Sequence, residues 1–162
     1  MKVLFVDPSS SVTGYALMRG RYDLMEFGRI TPEKDKDRAP VRIQYFGREL
    51  AAIIADGKPD KVVIEITSGK VARGRHGGAG AGLSIYGMAV GYLWRECVAA
   101  GVEVEPVLEN DWTNGVPKDR RLRHIAAQFP DYAAFKDEGG DAGDAIALGQ
   151  WWFFIRGGKV GK

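Results

Sequence analysis

Two apolar runs in this chain each end in a carboxylate. Residues 3 to 15 read VLFVDPSSSVTGY, where Val3 to Val6 have the pattern of a strand covered on both faces and Asp7 closes it. Residues 62 to 70 read VVIEITSGK, and Glu65 stands in the corresponding place. Burying a carboxylate costs several kcal/mol unless it is paired or bound to metal. A third acidic group lies in DEGGDAGDAIALGQWW, residues 137 to 152, where Asp141 and Asp144 are three apart at the start of an apolar helix. That spacing projects both from one face, about 5 to 6 Å apart. With the two strands adjacent, Asp7 and Glu65 come within roughly 5 Å across the ladder. Four converging carboxylates repel one another and raise their own pKa values until divalent cations neutralise them. Hard oxygen donors in a site shared with phosphate suit Mg²⁺, with Mn²⁺ as a substitute. A metal site built on Asp7, Glu65, Asp141 and Asp144 would explain why an apolar strand ends in a carboxylate.

Each acid also has a plainer reading. Asp7 before Pro8 can open a turn, Glu65 can sit in a salt bridge, and Asp141 with Asp144 can cap a helix and offset its dipole. Two acids that end separate buried strands are harder to explain as turns, and the joint pattern favours the cluster.

The elements that must position these acids follow from periodicity. Strand patterns lie at 2 to 7, 13 to 19, 21 to 30, 61 to 66 and 102 to 107, the first three joined closely enough to pair antiparallel, with a tight turn at Gly20 and Arg21. Helical patterns lie at about 40 to 55, 83 to 100, 118 to 128 and 141 to 155. The order β-β-β-α-β-α-β-α-α predicts an α/β fold: a mixed five-stranded sheet, three antiparallel strands and then parallel ones, with helices on both faces. Ligand sites of such sheets gather at the C-terminal ends of parallel strands, where Asp7 and Glu65 stand. One domain, 1 to 156, is expected, with 157 to 162 a flexible tail.

Composition narrows the function classes. The chain has 162 residues, 45% hydrophobic and 27% charged, as an ordinary globular domain has. No apolar run reaches the roughly 20 residues that cross a bilayer, and MKVLFVDP is too short and too soon acidic for a signal peptide, so a cytoplasmic protein without a membrane partner is expected. A single cysteine, Cys97, excludes an internal disulfide, and with two scattered histidines leaves no zinc-type ligand set. No G-x-G-x-x-G or Gly-Lys-Ser/Thr follows a strand, which removes the dinucleotide and P-loop readings. Net charge is only +2, so the distribution of charge decides the question of nucleic acid.

That distribution is uneven. Residues 68 to 82, SGKVARGRHGGAGAG, carry Lys70, Arg73, Arg75 and His76 with no acid, and read as a glycine-rich cationic loop that settles on phosphates. PKDRRLRHIAAQF, 117 to 129, places Lys118, Arg120, Arg121 and Arg123 around the first turns of a helix opened by Pro117, against the helix dipole. Phosphate binding explains such a cluster better than stability does. LSIYGMAVGYLW, 83 to 94, is apolar nearly all round, so one face on the sheet cannot bury the helix. A homodimer through helix 83 to 100 is expected, with Tyr86 and Leu93 as interface probes, the alternative being cover from helix 141 to 155. Trp94, Trp112, Trp151 and Trp152 read as core or interface anchors rather than base platforms.

The string DPSSSVTGYAL at 7 to 17, the strand-end glutamate in VVIEIT and DAGDAIALG at 141 to 149 together resemble the RuvC-type Holliday-junction resolvases of the RNase H-like (retroviral integrase) superfamily, including versions carried by phages. The resemblance runs in order over about 145 residues. It implies the RNase H-like fold, Asp7, Glu65, Asp141 and Asp144 as catalytic metal ligands, and Lys118 as the functional lysine that opens the penultimate helix. It also implies a homodimer that nicks two symmetry-related strands of a four-way DNA junction, leaving 5′-phosphates. One departure stands out: bacterial members carry a wedging aromatic shortly after the glutamate, whereas here Ile66, Thr67, Ser68 and Gly69 follow. Two other functions share these features, a ribonuclease acting on RNA/DNA hybrids and a non-catalytic junction-binding module. A sugar-kinase-like fold also begins with an Asp-ended strand, but 162 residues are too few for its two lobes.

Overall fold

Val3 to Val6 are fully buried, and the computed structural model, which describes residues 1–32, 38–67 and 79–157, shows why. They lie in β1 (Val3–Pro8), the central strand of a five-stranded sheet. Its neighbours are β2 (Thr13–Gly20), antiparallel, and β4 (Lys61–Ile66), parallel. Outside these lie β3 (Asp23–Ile30) and β5 (Glu103–Leu108), giving the order β3-β2-β1-β4-β5.

Helices cover both faces. On one side α1 (Ala39–Gly57) and α2 (Ala79–Ala99) close a core of Leu4, Val6, Phe46, Leu50, Ile64 and Leu93. On the other, α6 (Asp141–Gly157) lies across β1 and β2, packing its own Ile146 and Trp152 with Phe5, Met18 and Val63 of the sheet. Beside α6 pack α3 (Glu109–Thr113), α4 (Lys118–Gln128) and α5 (Pro130–Ala134). The two-residue period of the strands explains both cores: Leu4 and Val6 point to α1 and α2, Val3 and Phe5 to α6. Asp7 continues the Val3–Phe5 row and Glu65 continues the row of Val63, so both carboxylates lie on the α6 side of the sheet.

The observed elements agree with the expected order and add the two short helices α3 and α5, which are too brief for a periodic signal. The hairpin turn differs. Gly20 pairs with Asp23, so Arg21 and Tyr22 form the turn, and register shifts at Leu17/Met18 and Met18/Gly20 displace it from the expected Gly20 and Arg21. Helix α2 packs on α1 and not under α6, which lies on the opposite face. Residues 158 to 162 of the expected tail lie outside the described residues. Among the described residues no helix is long and apolar enough to cross a membrane.

Candidate active site

Strand register carries Asp7 and Glu65 to one end of the sheet. The parallel pairing of β1 and β4 runs from Val3 with Lys61 to Val6 with Ile64, and the next residue on each strand is the acid. Directly opposite Asp7 on β2 is Gly14. A β-carbon there would lie 2.0 Å from the carbonyl oxygen of Asp141 and 2.8 Å from the backbone nitrogen of Ala142. The absence of a side chain at Gly14 therefore lets the first turn of α6, with Asp141 and Asp144, rest on the strand beside Asp7. Gly139 and Gly140 enter the helix with φ of +93° and +76°, a left-handed conformation that suits glycine. The side chain of Asp137 then accepts the backbone N–H of Gly143 at 2.9 Å and the Tyr132 hydroxyl at 3.0 Å, fixing the helix entry. Ser9 ties the intervening loop, its hydroxyl accepting from the backbone of Val12 at 2.9 Å.

Asp7, Glu65, Asp141, Asp144 and Lys118 all line one cleft of about 830 Å³. Their electrostatics differ. Desolvation at the base of the cleft pushes the Asp7 carboxyl well above the usual range, and repulsion from Glu65, Asp144 and Asp141 adds to it against the pull of Lys118. Among the described residues nothing donates a hydrogen bond to the Asp7 carboxylate. Burial raises Glu65 to about 7 even though the Trp112 indole N–H donates to it at 2.7 Å and Arg121 also favours its charge. Burial likewise raises Asp141, against the pull of Lys118 and of Arg29 at 3.6 Å. Asp144 is buried, and both its oxygens are engaged: Arg121 donates to one at 3.0 and 2.9 Å, and Lys118 to the other at 2.9 Å. Burial opposes the charge of Lys118, but the bond to Asp144 and the field of the acids outweigh it and raise its pKa.

Among the described residues no three His, Cys, Asp or Glu side chains are gathered closely enough to hold an ion as they stand. In the cleft Asp144 is paired with two cations, Lys118 and Arg121, and Glu65 accepts the Trp112 indole N–H. The donors nevertheless fit a hard dication in kind, being carboxylates around a desolvated Asp7 without a hydrogen-bond donor.

The second basic patch is not a free phosphate surface. Lys118 and Arg121 turn inward to Asp144, and Arg123 pairs with Asp119 at 3.1 Å. Arg120 makes no ion pair among the described residues and is exposed. Lys70, Arg73, Arg75 and His76 lie outside the described residues, as do Ser68 and Gly69 after the strand. Tyr86 is half-buried at the cleft, its hydroxyl accepting the Thr67 N–H at 3.0 Å, whereas Leu93 is fully buried and does not probe a dimer interface.

Trp112, Arg29 and Asp137 escaped the sequence reading. A tryptophan in a five-residue helix carries no signal that its N–H will meet a carboxylate 47 positions earlier. Asp137 alone had a hint, an acid four residues before a helix-opening Asp141.

The fold compares closely with solved structures. The RuvC of T. thermophilus in complex with a Holliday junction substrate superposes with a TM-score of 0.72 at 16% identity, covering 98% of this chain and 96% of that one. The chain has the RuvC fold. A second Thermus thermophilus RuvC structure gives 0.70 at 15% identity over 98% of this chain and 97% of that one. The yeast mitochondrial Holliday junction resolvase gives 0.61 at 12% over 95% and 79%. In sequence, the crossover junction endodeoxyribonucleases RuvC of Syntrophomonas wolfei and Geotalea uraniireducens are each 38% identical over 68 residues, 40% of this chain and 39% of those proteins. The match thus spans well under half of those relatives' length. No family model matches the chain. The five-stranded mixed sheet expected from the sequence is therefore an RNase H-like sheet of the RuvC type.

One pH dependence follows from the site. Glu65 ionises near its ordinary 4.5 in the unfolded chain and at about 7 in the fold. Its stabilising contribution is therefore complete below about pH 4.5 and is lost as pH rises through about 7. Asp7, also raised, acts in the same direction. Without divalent ions the melting temperature should fall between pH 5 and pH 8, by on the order of 5 to 10 °C. Glu65→Gln should flatten that fall. An equal fall in wild type and variant, measured by calorimetry, would remove Glu65 as its source.

Proposed function

We propose that this protein is a metal-dependent, structure-specific endonuclease that cuts four-way DNA junctions by paired, symmetric nicks leaving 5′-phosphates. The observation that carries the proposal is the convergence of Asp7, Glu65, Asp141 and Asp144 with Lys118 on one cleft, in a fold shared with RuvC bound to a Holliday junction. The four carboxylates would hold Mg²⁺, two ions per site, with Asp7 central. Bound there, the ions would supply an activated water and charge stabilisation of the leaving 3′-oxygen. Trp112 holds Glu65 toward the cleft, and the hairpin glycine Gly14 sets the depth of Asp141 and Asp144. Lys118, at the rim, brings a cation to the phosphate once it leaves Asp144. Arg120 and the basic loop with Lys70, Arg73, Arg75 and His76 would follow the flanking phosphates, and such a nuclease would act on DNA in the cytoplasm.

The paired cuts require two sites, and α2 offers the surface. Leu83, Met88 and Val98 are 41, 56 and 60% exposed on a helix whose opposite face, Ala89, Leu93 and Cys97, is fully buried. A second copy of the chain would cover the exposed face. Met88→Glu with Val98→Glu should give a folded monomer that leaves single nicks. Light scattering decides it, and a wild type monomeric at tens of micromolar would remove the dimer.

The substrate test uses labelled four-way junction, linear duplex and RNA/DNA hybrid, each with and without Mg²⁺. Cutting confined to the junction and to Mg²⁺ is expected. Cutting of the hybrid alone would make the protein a ribonuclease, and junction binding without cutting would make it a binding module.

A further inference from the structure

A second cavity, of about 280 Å³, opens between α4 and α6 beside the acidic cleft. Thr113, Val116 and Arg121 line both. Its walls carry Trp112, Trp151 and Phe154, and its charged groups are Arg21, Arg120 and Arg121, with His124 at the same wall. Among the described residues no acid lines it. Two details set it apart from ordinary packing. Phe154 is 61% exposed although it lies on a helix that is otherwise largely core. Arg21 lies 4.9 Å from the Phe154 ring and 5.2 Å from that of Tyr22, and its Nε is shielded from solvent with no hydrogen-bond partner among the described residues.

We propose that this cavity is a nucleotide site, taking one unpaired nucleobase against Trp151 and Phe154 with its phosphate among Arg21, Arg120 and His124. Aromatic walls accept the face of any base, and guanidinium groups without competing acids select an attached phosphate. The volume lies just under the usual range of roughly 300 to 1,000 Å³ for small-molecule sites, room for at most a single nucleotide and not for a duplex. Position gives the site a consequence. Arg121 stacks 4.8 Å over Trp112, and these two side chains hold Asp144 and Glu65. An occupant therefore leans on the groups that orient two of the four carboxylates, so that seating an unpaired base and arranging the acids become coupled. The junction strand as source of that base rests on the proposed function; a free mononucleotide is the other source with the same chemistry.

The test has two arms, read in wild type, Phe154→Ala and Arg120→Gln. Both substitutions are at exposed positions and leave the core intact. In the first arm dAMP or dTMP is titrated against tryptophan fluorescence, with inorganic phosphate as control. In the second, four-way junctions carry 2-aminopurine at successive positions near the crossover. Expected is a saturable response to mononucleotide, not reproduced by phosphate, and weakened roughly 5- to 100-fold by Phe154→Ala. A 2-aminopurine change at one strand position in wild type, absent in Phe154→Ala, assigns the occupant to the junction strand. A mononucleotide response without that change assigns a free nucleotide. No response in either arm, or one that phosphate reproduces in full, overturns the proposal. Should the wild type fail to bind junctions at all, the proposed function falls, and the mononucleotide arm still decides the cavity.

Discussion

Asp7→Asn should abolish junction cutting while leaving the fold at least as stable as before. The substitution keeps the volume but removes a charge from a carboxyl that desolvation already holds well above its usual range. A loss of about 4 kcal/mol of transition-state stabilisation corresponds to roughly a thousandfold in rate, and on the proposed function removing this metal ligand should cost at least that. Junction binding should survive and strengthen without metal, because DNA phosphates then approach one fewer uncompensated negative charge. The stability sign separates this reading from a structural one. A paired core aspartate costs stability when neutralised, because its partner is left buried and alone. Burial and repulsion from Glu65, Asp144 and Asp141 outweigh the pull of Lys118 on Asp7, so neutralising it relieves more than it costs. A variant that cuts at the wild-type rate, or melts markedly earlier in chelator, would return Asp7 to a turn-and-salt-bridge role.

Gly14→Ala should be as damaging to cutting, by a different route. The added carbon meets backbone atoms of Asp141 and Ala142, at 2.0, 2.3 and 2.8 Å, and backbone cannot step aside as the end of a side chain can. The start of α6 must lift from β2, carrying Asp141 and Asp144 away from Asp7 and Glu65. Overpacking of this kind costs about 1 to 3 kcal/mol and often more where backbone must move, roughly 5 to 10 °C in melting temperature here. Gly20→Ala is the control, since a carbon there meets only the Asp23 β-carbon at 3.9 Å. Its melting point and cutting should stay near wild type. A Gly14→Ala protein with wild-type stability and cutting would show that α6 does not depend on this contact.

Much of the positioning was legible because it depends on period. Val3 to Val6 and Val62 to Ile64 alternate between two cores, so the acids that follow them had to emerge at one end of the sheet. The spacing of Asp141 and Asp144 put both in the first turn of α6. What period could not give is phase or partner. Helix α2 is apolar all round, so its pattern does not distinguish the buried row Ala89, Leu93 and Cys97 from the exposed Leu83, Met88 and Val98, and Leu93 was misplaced for that reason. The cations of α4 read as phosphate ligands because their sequence neighbours are basic, whereas Asp144, 23 positions beyond Arg121, claims two of them. Trp151 and Trp152 looked alike in sequence. One register step makes Trp152 core, 2% exposed, and sets Trp151 in a cavity wall.

The most direct test of the metal site is anomalous diffraction from crystals of the protein grown with Mn²⁺, recorded at the manganese edge. The expected map has a peak in the cleft among Asp7, Glu65 and the first turn of α6, with Lys118 and Arg121 drawn off Asp144. A cleft without a peak at saturating Mn²⁺, and Asp144 still held by both cations, would contradict the metal-centred reading of these four carboxylates.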